Sequence, residues 1–503
     1  IIHINGDDPE AGVRAARIAF GYRRVFRRDV VLDLVGYRRL GHNEGDEPSY
    51  TQPNMYKIIE SHPTVRQIYV DRLKRRGALT DAEAAATLSD FRDELDYALE
   101  DSQTQAARSE EMAGGEDDVT PPETAISNDM ADRIEAGIRS FPQGFTPHPK
   151  LERLIEGRQR IYAEGYADWA MGEALAWGSL ALEGVPVRLA GEDSQRGTFS
   201  HRHAVLVDYL TEEEFTPLRH LALDQAPLRI YDSLLSEFAA LGFEYGYSVA
   251  APDTLVMWEA QFGDFVNGAQ VIIDQFLASG YDKWKQHSSV TLLLPHGFEG
   301  QGPEHSSARL ERFLTAAAED NIRIAVPSTP AQLFHVYRTQ AMHPIKRPLV
   351  IITPKSLLRA QQTFSPLTEI TGGGLQAVIA DKVVTRSARR VLLCAGKVYY
   401  DLEQYRTDNN IDDVAILRVE VLYPFPAAAI NHALSSYGDA DLVWVQEEPA
   451  NMGAWRFMTR NLFIEAGRSS RGIYRKESAS PATGNPQTHA REQQMLIETA
   501  FAR

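Results

Sequence analysis

Short apolar runs recur along the chain, separated by longer stretches in which apolar residues return at helical spacing. The runs read as buried strands and the stretches as amphipathic helices. Residues 10–24 are predicted helical, residues 30–35 (Val-Val-Leu-Asp-Leu-Val) form a predicted buried strand, and residues 55–76 are predicted helical with a break near Pro63. Thr80-Asp-Ala-Glu83 has the form of a capping box, and Leu88, Phe91, Leu95 and Ala98 follow it on one helical face. Residues 101–127 are polar, acidic and punctuated by Gly114-Gly115 and Pro121-Pro122, which predicts a linker or long excursion.

From residue 149 to 347, strands are predicted at 187–190, 254–258, 290–294 and 323–326, with helical patterns between them. A further set follows at 349–352, 390–394, 414–419 and 441–445. Strands alternating with helices predict an α/β fold whose parallel sheets are flanked by helices. The expected organisation is three successive units, residues 1–148, 149–347 and 348–503.

The chain has 503 residues, enough for several cores. At 43% hydrophobic and 24% charged residues its composition is that of a globular protein. No run approaches the ~18 apolar residues of a membrane-spanning helix, and no signal-peptide pattern is present, so a cytoplasmic protein is expected. The net charge of −17 argues against nucleic acid as a general partner. The single cysteine, Cys394, excludes an internal disulfide; its apolar setting predicts an inert core thiol.

Candidate chemistry concentrates at strand-to-loop junctions. Leu294-Pro-His-Gly-Phe-Glu-Gly-Gln-Gly-Pro-Glu-His-Ser-Ser307 places His296 and His305 in a glycine-rich loop after an apolar strand. Open α/β sheets bind ligands at such ends, and histidine exchanges protons near neutrality. The same loop also reads as one whose histidines bond its own backbone. Glu237 sits among Leu234, Leu235, Phe238, Leu241 and Phe243, a setting that would desolvate it and raise its pKa. It reads equally as a helix-terminal glutamate beside the capping Ser236. Phe262 and Phe265, in Gln261-Phe-Gly-Asp-Phe265, read as core residues or as a ring platform. His42 opens a polar loop and reads as a surface histidine or as an anion donor, with Arg38 and Arg39 beside it. His201, Arg202 and His203 form a basic cluster, expected near an entrance or a subunit contact.

These blocks carry a resemblance. His3-Ile-Asn-Gly-Asp-Asp-Pro-Glu10, Tyr37-Arg-Arg-Leu-Gly-His-Asn-Glu-Gly-Asp-Glu-Pro48, Gly191-Glu-Asp-Ser-Gln-Arg-Gly-Thr-Phe-Ser-His-Arg-His203, Ser236-Glu-Phe-Ala-Ala-Leu-Gly-Phe-Glu-Tyr-Gly246, Trp258-Glu-Ala-Gln-Phe-Gly-Asp-Phe265, the His305 loop and Thr353-Pro-Lys-Ser-Leu-Leu-Arg359 occur in order. The chain resembles the thiamine-diphosphate-dependent 2-oxoglutarate dehydrogenases, and in its long gap between the early and later blocks the actinobacterial multifunctional members. The resemblance implies a transketolase-like fold: the end of a diphosphate-binding domain, a pyrimidine-binding domain and a transketolase-type carboxyl-terminal domain. It implies thiamine diphosphate and magnesium as cofactors and 2-oxoglutarate of the citric acid cycle as substrate. The implied partners are a dihydrolipoyl acyltransferase, which receives the succinyl group on lipoamide, and a dihydrolipoyl dehydrogenase. It further implies a homodimer with active sites at the subunit interface. By resemblance Glu237 bonds the pyrimidine ring, Phe265 stacks on it, Gln261 and Phe262 shape that segment, His42 contacts the diphosphate and His305 faces the reacting carbon. His296 belongs to the same substrate loop.

The chain departs from the family pattern in one respect. Gly-Asp-Gly followed by a downstream asparagine, which holds the magnesium, has no counterpart; Gly6-Asp7-Asp8 comes nearest but runs into proline. No metal ligand is therefore expected in this chain, and the metal motif is expected upstream, in an amino-terminal half absent here. The chain also opens within a predicted strand, without methionine. Three functions compete: the catalytic portion of a 2-oxoglutarate dehydrogenase, another thiamine diphosphate enzyme of the pyruvate dehydrogenase or transketolase type, and a non-catalytic assembly module.

Overall fold

The computed structural model describes residues 1–111 and 121–502. It divides into two units, Ile1–Gly114 and Gly115–Arg503. The first unit holds a parallel pair of strands, Ile2–Asn5 and Leu32–Val35, with Ile2 opposite Leu32. Helix Pro9–Phe26 connects them, and its first turn is capped by the Asp8 carboxylate, which accepts from the Ala11 amide. Helices Pro53–Ser61 and Val65–Arg75 are separated at Pro63, and the second is capped by Thr64. The capping box is reciprocal: Thr80 Oγ1 accepts from the Glu83 amide at 3.2 Å and Glu83 Oε2 accepts from the Thr80 amide at 2.8 Å. It starts helix Asp81–Glu111.

One expectation for this unit is corrected. Strand Leu32–Val35 is exposed at every residue, not buried, because only two strands pair there and helix Pro9–Phe26 buries only Ala15 and Ala19. Phe91 and Leu95 have helical periodicity but stay exposed. The proposed linker is also different: residues 101–111 continue the helix, and Thr124 and Ile126 are buried in the second unit. Gly114 and Gly115 lie outside the described residues.

The second unit is built on a seven-stranded sheet. Its strands run, across the sheet, Val421–Tyr423, Arg323–Ala325, Leu349–Thr353, Thr291–Pro295, Leu255–Glu259, Val187–Gly191 and Leu228–Asp232. All pairings are parallel except that of the Val421 edge strand. Successive side chains point to opposite faces. Val256, Trp258, Leu292, Leu294, Val350 and Ile352 therefore enter one core with Leu241 of helix Glu237–Ala250. Met257, Leu293 and Ile351 enter the other, against helices Trp169–Leu182 and Pro330–Met342. Burial on both faces explains why these strands read as unbroken apolar runs.

A five-stranded sheet follows, ordered Val378–Ile379, Val414–Val419, Arg390–Cys394, Asp441–Pro449 and Arg471–Arg475. The chain leaves it after Val419 and sends Val421–Tyr423 back to the edge of the larger sheet. The Leu349 strand, read as the start of the third unit, instead pairs with Thr291–Pro295 inside the larger sheet. Helix Asn128–Ile138, placed in the first unit by its sequence position, packs Ala131 and Ile134 into the second. The edge strands of both large sheets escaped the sequence reading; two of them, Leu228–Asp232 and Arg471–Arg475, carry charged residues that dilute the apolar signal. No helix among the described residues is long and apolar enough to cross a membrane.

Candidate functional site

The parallel strands of the seven-stranded sheet end on one edge, and the segments leaving that edge carry Glu237, Gln261, Phe262, Phe265, His296, His305 and Lys355. The centre is His305. Its half-buried ring stands edge-on to Phe262, 4.6 Å between centroids, and to Phe265 at 5.8 Å. Phe262 and Phe265 are themselves 6.0 Å apart and only partly buried, so they form an aromatic wall rather than core. Among the described residues the His305 ring nitrogens have no hydrogen-bond partner.

The two loops are locked together. Asp264 Oδ2 accepts from the Ser306 and Ser307 amides at 3.3 and 3.0 Å. Burial pushes the Asp264 carboxyl up, and these two amides pull it back. A Cβ at Gly263 would come within 2.6 Å of the Ala308 Cβ, so only glycine permits this approach. Gln261 Nε2 donates to Asp193 Oδ2 at 2.9 Å, fixing the start of the segment.

His296 stands apart from this cluster. Its Nδ1 accepts from the Ala308 amide at 3.0 Å and its Nε2 lies 3.2 Å from Glu448 Oε1 on the five-stranded sheet. Burial disfavours the charged ring, but Glu448 and Glu447 outweigh it and raise its pKa. The Ala308 amide opposes that trend, since it requires a bare Nδ1. We read the ring as holding its proton on Nε2, because the amide is fixed by the backbone. His296 thus anchors the loop. A small pocket lies beside it, bounded also by Lys397, Glu447 and Trp444.

Lys355 was not singled out from sequence. It is buried, and its Nζ donates to the His305 carbonyl at 2.5 Å and to Gln301 Oε1 at 2.8 Å. Its only sequence signal is a lysine directly after an apolar strand, in Thr353-Pro-Lys.

Glu237 opens helix Glu237–Ala250, which Ser236 caps by accepting from the Ala239 amide at 3.3 Å. Glu237 is thus the helix-terminal glutamate beside the capping Ser236. Its half-buried carboxyl packs over Gly268 and lines a cleft of about 210 Å³ with Glu192, Trp258 and Gln261. Of the apolar neighbours expected to desolvate it, only Leu241 is buried; Leu234, Leu235, Phe238 and Phe243 are exposed. Leu234 and Leu235 line this cleft with Glu237 yet stay largely exposed, so they do not bury the carboxyl. Among the described residues the Glu237 carboxyl has no hydrogen-bond partner.

The basic cluster His201-Arg202-His203, expected near an entrance or a subunit contact, is largely engaged inside the chain. Arg202 is buried and donates bidentately to Glu173 at 2.8 and 2.9 Å and to Glu259 at 2.7 Å through both amino groups. Two carboxylates share one guanidinium, and burial pushes Glu173 up despite Arg202. Burial, then Arg202, holds His201 well below the usual histidine range; burial also lowers His203. The motif is a buried network holding its loop on the sheet.

His42 belongs to the first unit. It is exposed, and its amide donates to Asp46 Oδ2 at 2.7 Å. Arg38 and Arg39 donate to the carbonyls of Gly41 and His62, at 3.2 and 2.9 Å, so their charges are not cancelled by those partners. A cavity of about 1050 Å³ there is lined by Arg39, Gly41, Asp46, Tyr56 and Lys57. Among the described residues no group of three His, Cys, Asp or Glu side chains converges as a metal site.

Comparison with known proteins matches three regions of the chain. Residues 1–111 match the dehydrogenase E1 component family, residues 166–361 the transketolase pyrimidine-binding domain, and residues 364–501 the 2-oxoglutarate dehydrogenase carboxyl-terminal family. The whole chain is 46% identical to the 2-oxoglutarate dehydrogenase E1 component of Haemophilus influenzae, of which it covers 55%. The chain is similar along its whole length to part of a 2-oxoglutarate dehydrogenase E1 component. It is also 43% identical over its full length to the multifunctional 2-oxoglutarate metabolism enzyme of Mycobacterium sp. (strain JLS), of which it covers 41%. It thus spans about half the length of these relatives. The matched regions break between residues 361 and 364, after the Leu349 strand has been completed.

Proposed function

We propose that this chain carries the pyrimidine-facing part, and a share of the diphosphate-facing part, of an active site that decarboxylates 2-oxoglutarate with thiamine diphosphate. The succinyl group then passes to the lipoyl group of a partner dihydrolipoyl acyltransferase, which a dihydrolipoyl dehydrogenase reoxidises. The observation that carries this reading is the convergence of His305, Phe262 and Phe265 on the sheet edge from which Glu237 also rises.

The residues fit the cofactor. Glu237 and His305 present polar groups without partners among the described residues, and Phe265 is a partly open ring beside them. When bound, thiamine diphosphate supplies the electron sink that lets the carboxyl carbon leave. Glu237 would hold or share a proton with the pyrimidine ring, and Phe265 would support that ring, with Gln261 and Asp264 fixing the segment. His305 would donate to the substrate oxygen on which negative charge develops, and would move a proton in the transfer step. His42, backed by Arg38 and Arg39, would meet the diphosphate. Ligands for magnesium are assigned to a segment outside this chain. A cytoplasmic homodimer with active sites between subunits completes the reading.

The test is carbon dioxide release by the intact protein from 2-oxoglutarate and from pyruvate, with and without added thiamine diphosphate and magnesium. Cofactor-dependent release with 2-oxoglutarate strongly preferred is expected. Preference for pyruvate would favour a pyruvate dehydrogenase-type enzyme, and no cofactor-dependent release would favour an assembly module.

A further inference from the structure

Lys355 is buried more deeply than any function yet assigned to it requires. Its side chain is 1% exposed, at the carboxyl end of strand Leu349–Thr353. A buried ammonium is costly unless paired. Its close partners are neutral oxygens, the His305 carbonyl at 2.5 Å and Gln301 Oε1 at 2.8 Å. The nearest carboxylate, Glu299 Oε2, stands 3.9 Å away, beyond hydrogen-bond reach. Burial accordingly lowers the Lys355 pKa, against the pull of Glu299, Asp264 and Glu447 and with the help of Lys397.

Fastening the loop in general does not explain this arrangement. The base of the loop is already held by the His296 amide on the Thr353 carbonyl at 2.9 Å and the Gly297 amide on the Ser306 carbonyl at 2.9 Å. The Ser356 amide donates to Glu299 Oε1 at 2.9 Å, a third tie. Asp264 holds the amide side of the His305–Ser306 peptide at 3.3 Å, but the His305 amide reaches the Gly302 carbonyl only at 3.5 Å and the His305 carbonyl has no donor among those ties. Gly302 has φ +91°, so the turn before His305 depends on glycine and brings little restraint of its own. The Lys355 ammonium closes that gap. It also lies 5.8 Å from the centre of the Phe262 ring, the ring on which His305 leans. One cation therefore touches both the main chain of His305 and the aromatic wall that sets its imidazole.

We propose that Lys355 is a positioning residue that fixes His305 through its main-chain carbonyl and through Phe262. This rests on the catalytic reading of His305 given above. The charge makes the contact short and directional, which a neutral side chain of the same length cannot do.

The test is a double-mutant cycle in the intact protein, with Lys355→Met, His305→Ala and the pair. Lys355→Met is expected to lower kcat between about tenfold and 100-fold, the scale of a misplaced catalytic group, with KM for 2-oxoglutarate and thiamine diphosphate affinity changed by less than about twofold. In the His305→Ala background it should produce no further fall, because its route runs through His305. Lys355→Arg, which keeps a charged donor, should recover part of the loss. Additive losses, or a loss confined to KM or cofactor affinity, would overturn the proposal. If Lys355→Met does not fold, Gln301→Ala loosens the same ammonium from the surface, and the same non-additivity is expected at smaller scale. A crystal structure of Lys355→Met judges the inference apart from function: a His305 ring still seated on Phe262 as before overturns it, even if His305→Ala proves fully active and the functional reading itself falls.

Discussion

The His305 ring meets the Phe262 ring edge-on, 4.6 Å between centroids and 86° between planes. The two residues sit on loops that follow neighbouring parallel strands, Leu255–Glu259 and Thr291–Pro295. Edge-to-face aromatic contact adds about 1 kcal/mol beyond area burial and, more to the point, restricts the imidazole's orientation. A histidine held this way keeps its nitrogens available while losing rotational freedom in advance of any ligand.

His305→Ala is expected to lower decarboxylation of 2-oxoglutarate on the order of 100-fold, the scale of a lost oxyanion donor. Thiamine diphosphate affinity, measured by calorimetry beside the rate, should hardly move. An equal fall in affinity would make His305 a cofactor contact or a structural residue instead.

Glu237→Gln is expected to lower the rate by about 100-fold or more, since the amide cannot share a proton with the pyrimidine. If the active sites lie between subunits, Glu237→Gln and His42→Ala enzymes, each inactive, should recover activity when mixed. After random exchange about half the dimers are mixed, and each has one site free of both lesions. Verified exchange without recovery would assign both residues to one subunit's site.

Arg202→Met should destabilise the protein by roughly 3–5 kcal/mol, because it strands Glu173 and Glu259 as buried carboxylates. Arg202→Lys should not restore the loss, since one ammonium cannot replace two bidentate contacts. Urea unfolding midpoints of the three proteins measure this, and an Arg202→Met midpoint close to the parent's would remove Arg202 from the structural role.

Cys394 should resist thiol reagents in the native protein. It is fully buried in strand Arg390–Cys394, and burial pushes its pKa far up, so almost no thiolate forms near neutral pH. Labelling by a disulfide reagent should therefore proceed at the rate of unfolding. Fast labelling in native buffer would contradict this packing.

Much of this was decided by the sequence alone. Apolar runs such as Val290-Thr-Leu-Leu-Leu294 predict parallel strands because both faces of each strand are buried, and Thr80 to Glu83 specify their helix start because capping is a contact between near neighbours. The glycines around His305 likewise mark a loop after the apolar strand. What the sequence could not decide depends on which elements lie side by side. Residue type made Arg202 look like a surface cation, yet Glu173 and Glu259 arrive from a distant helix and strand to bury it. Leu234 and Phe238 look like a buried setting for Glu237 but are exposed in the folded chain. Lys355 acquires its place only when strand Leu349–Thr353 is laid beside Thr291–Pro295, which brings its ammonium to the His305 carbonyl. Local chemistry is written in short stretches of chain, whereas burial and charge pairing are set by neighbours far apart in sequence, and only the folded sheet brings them into contact.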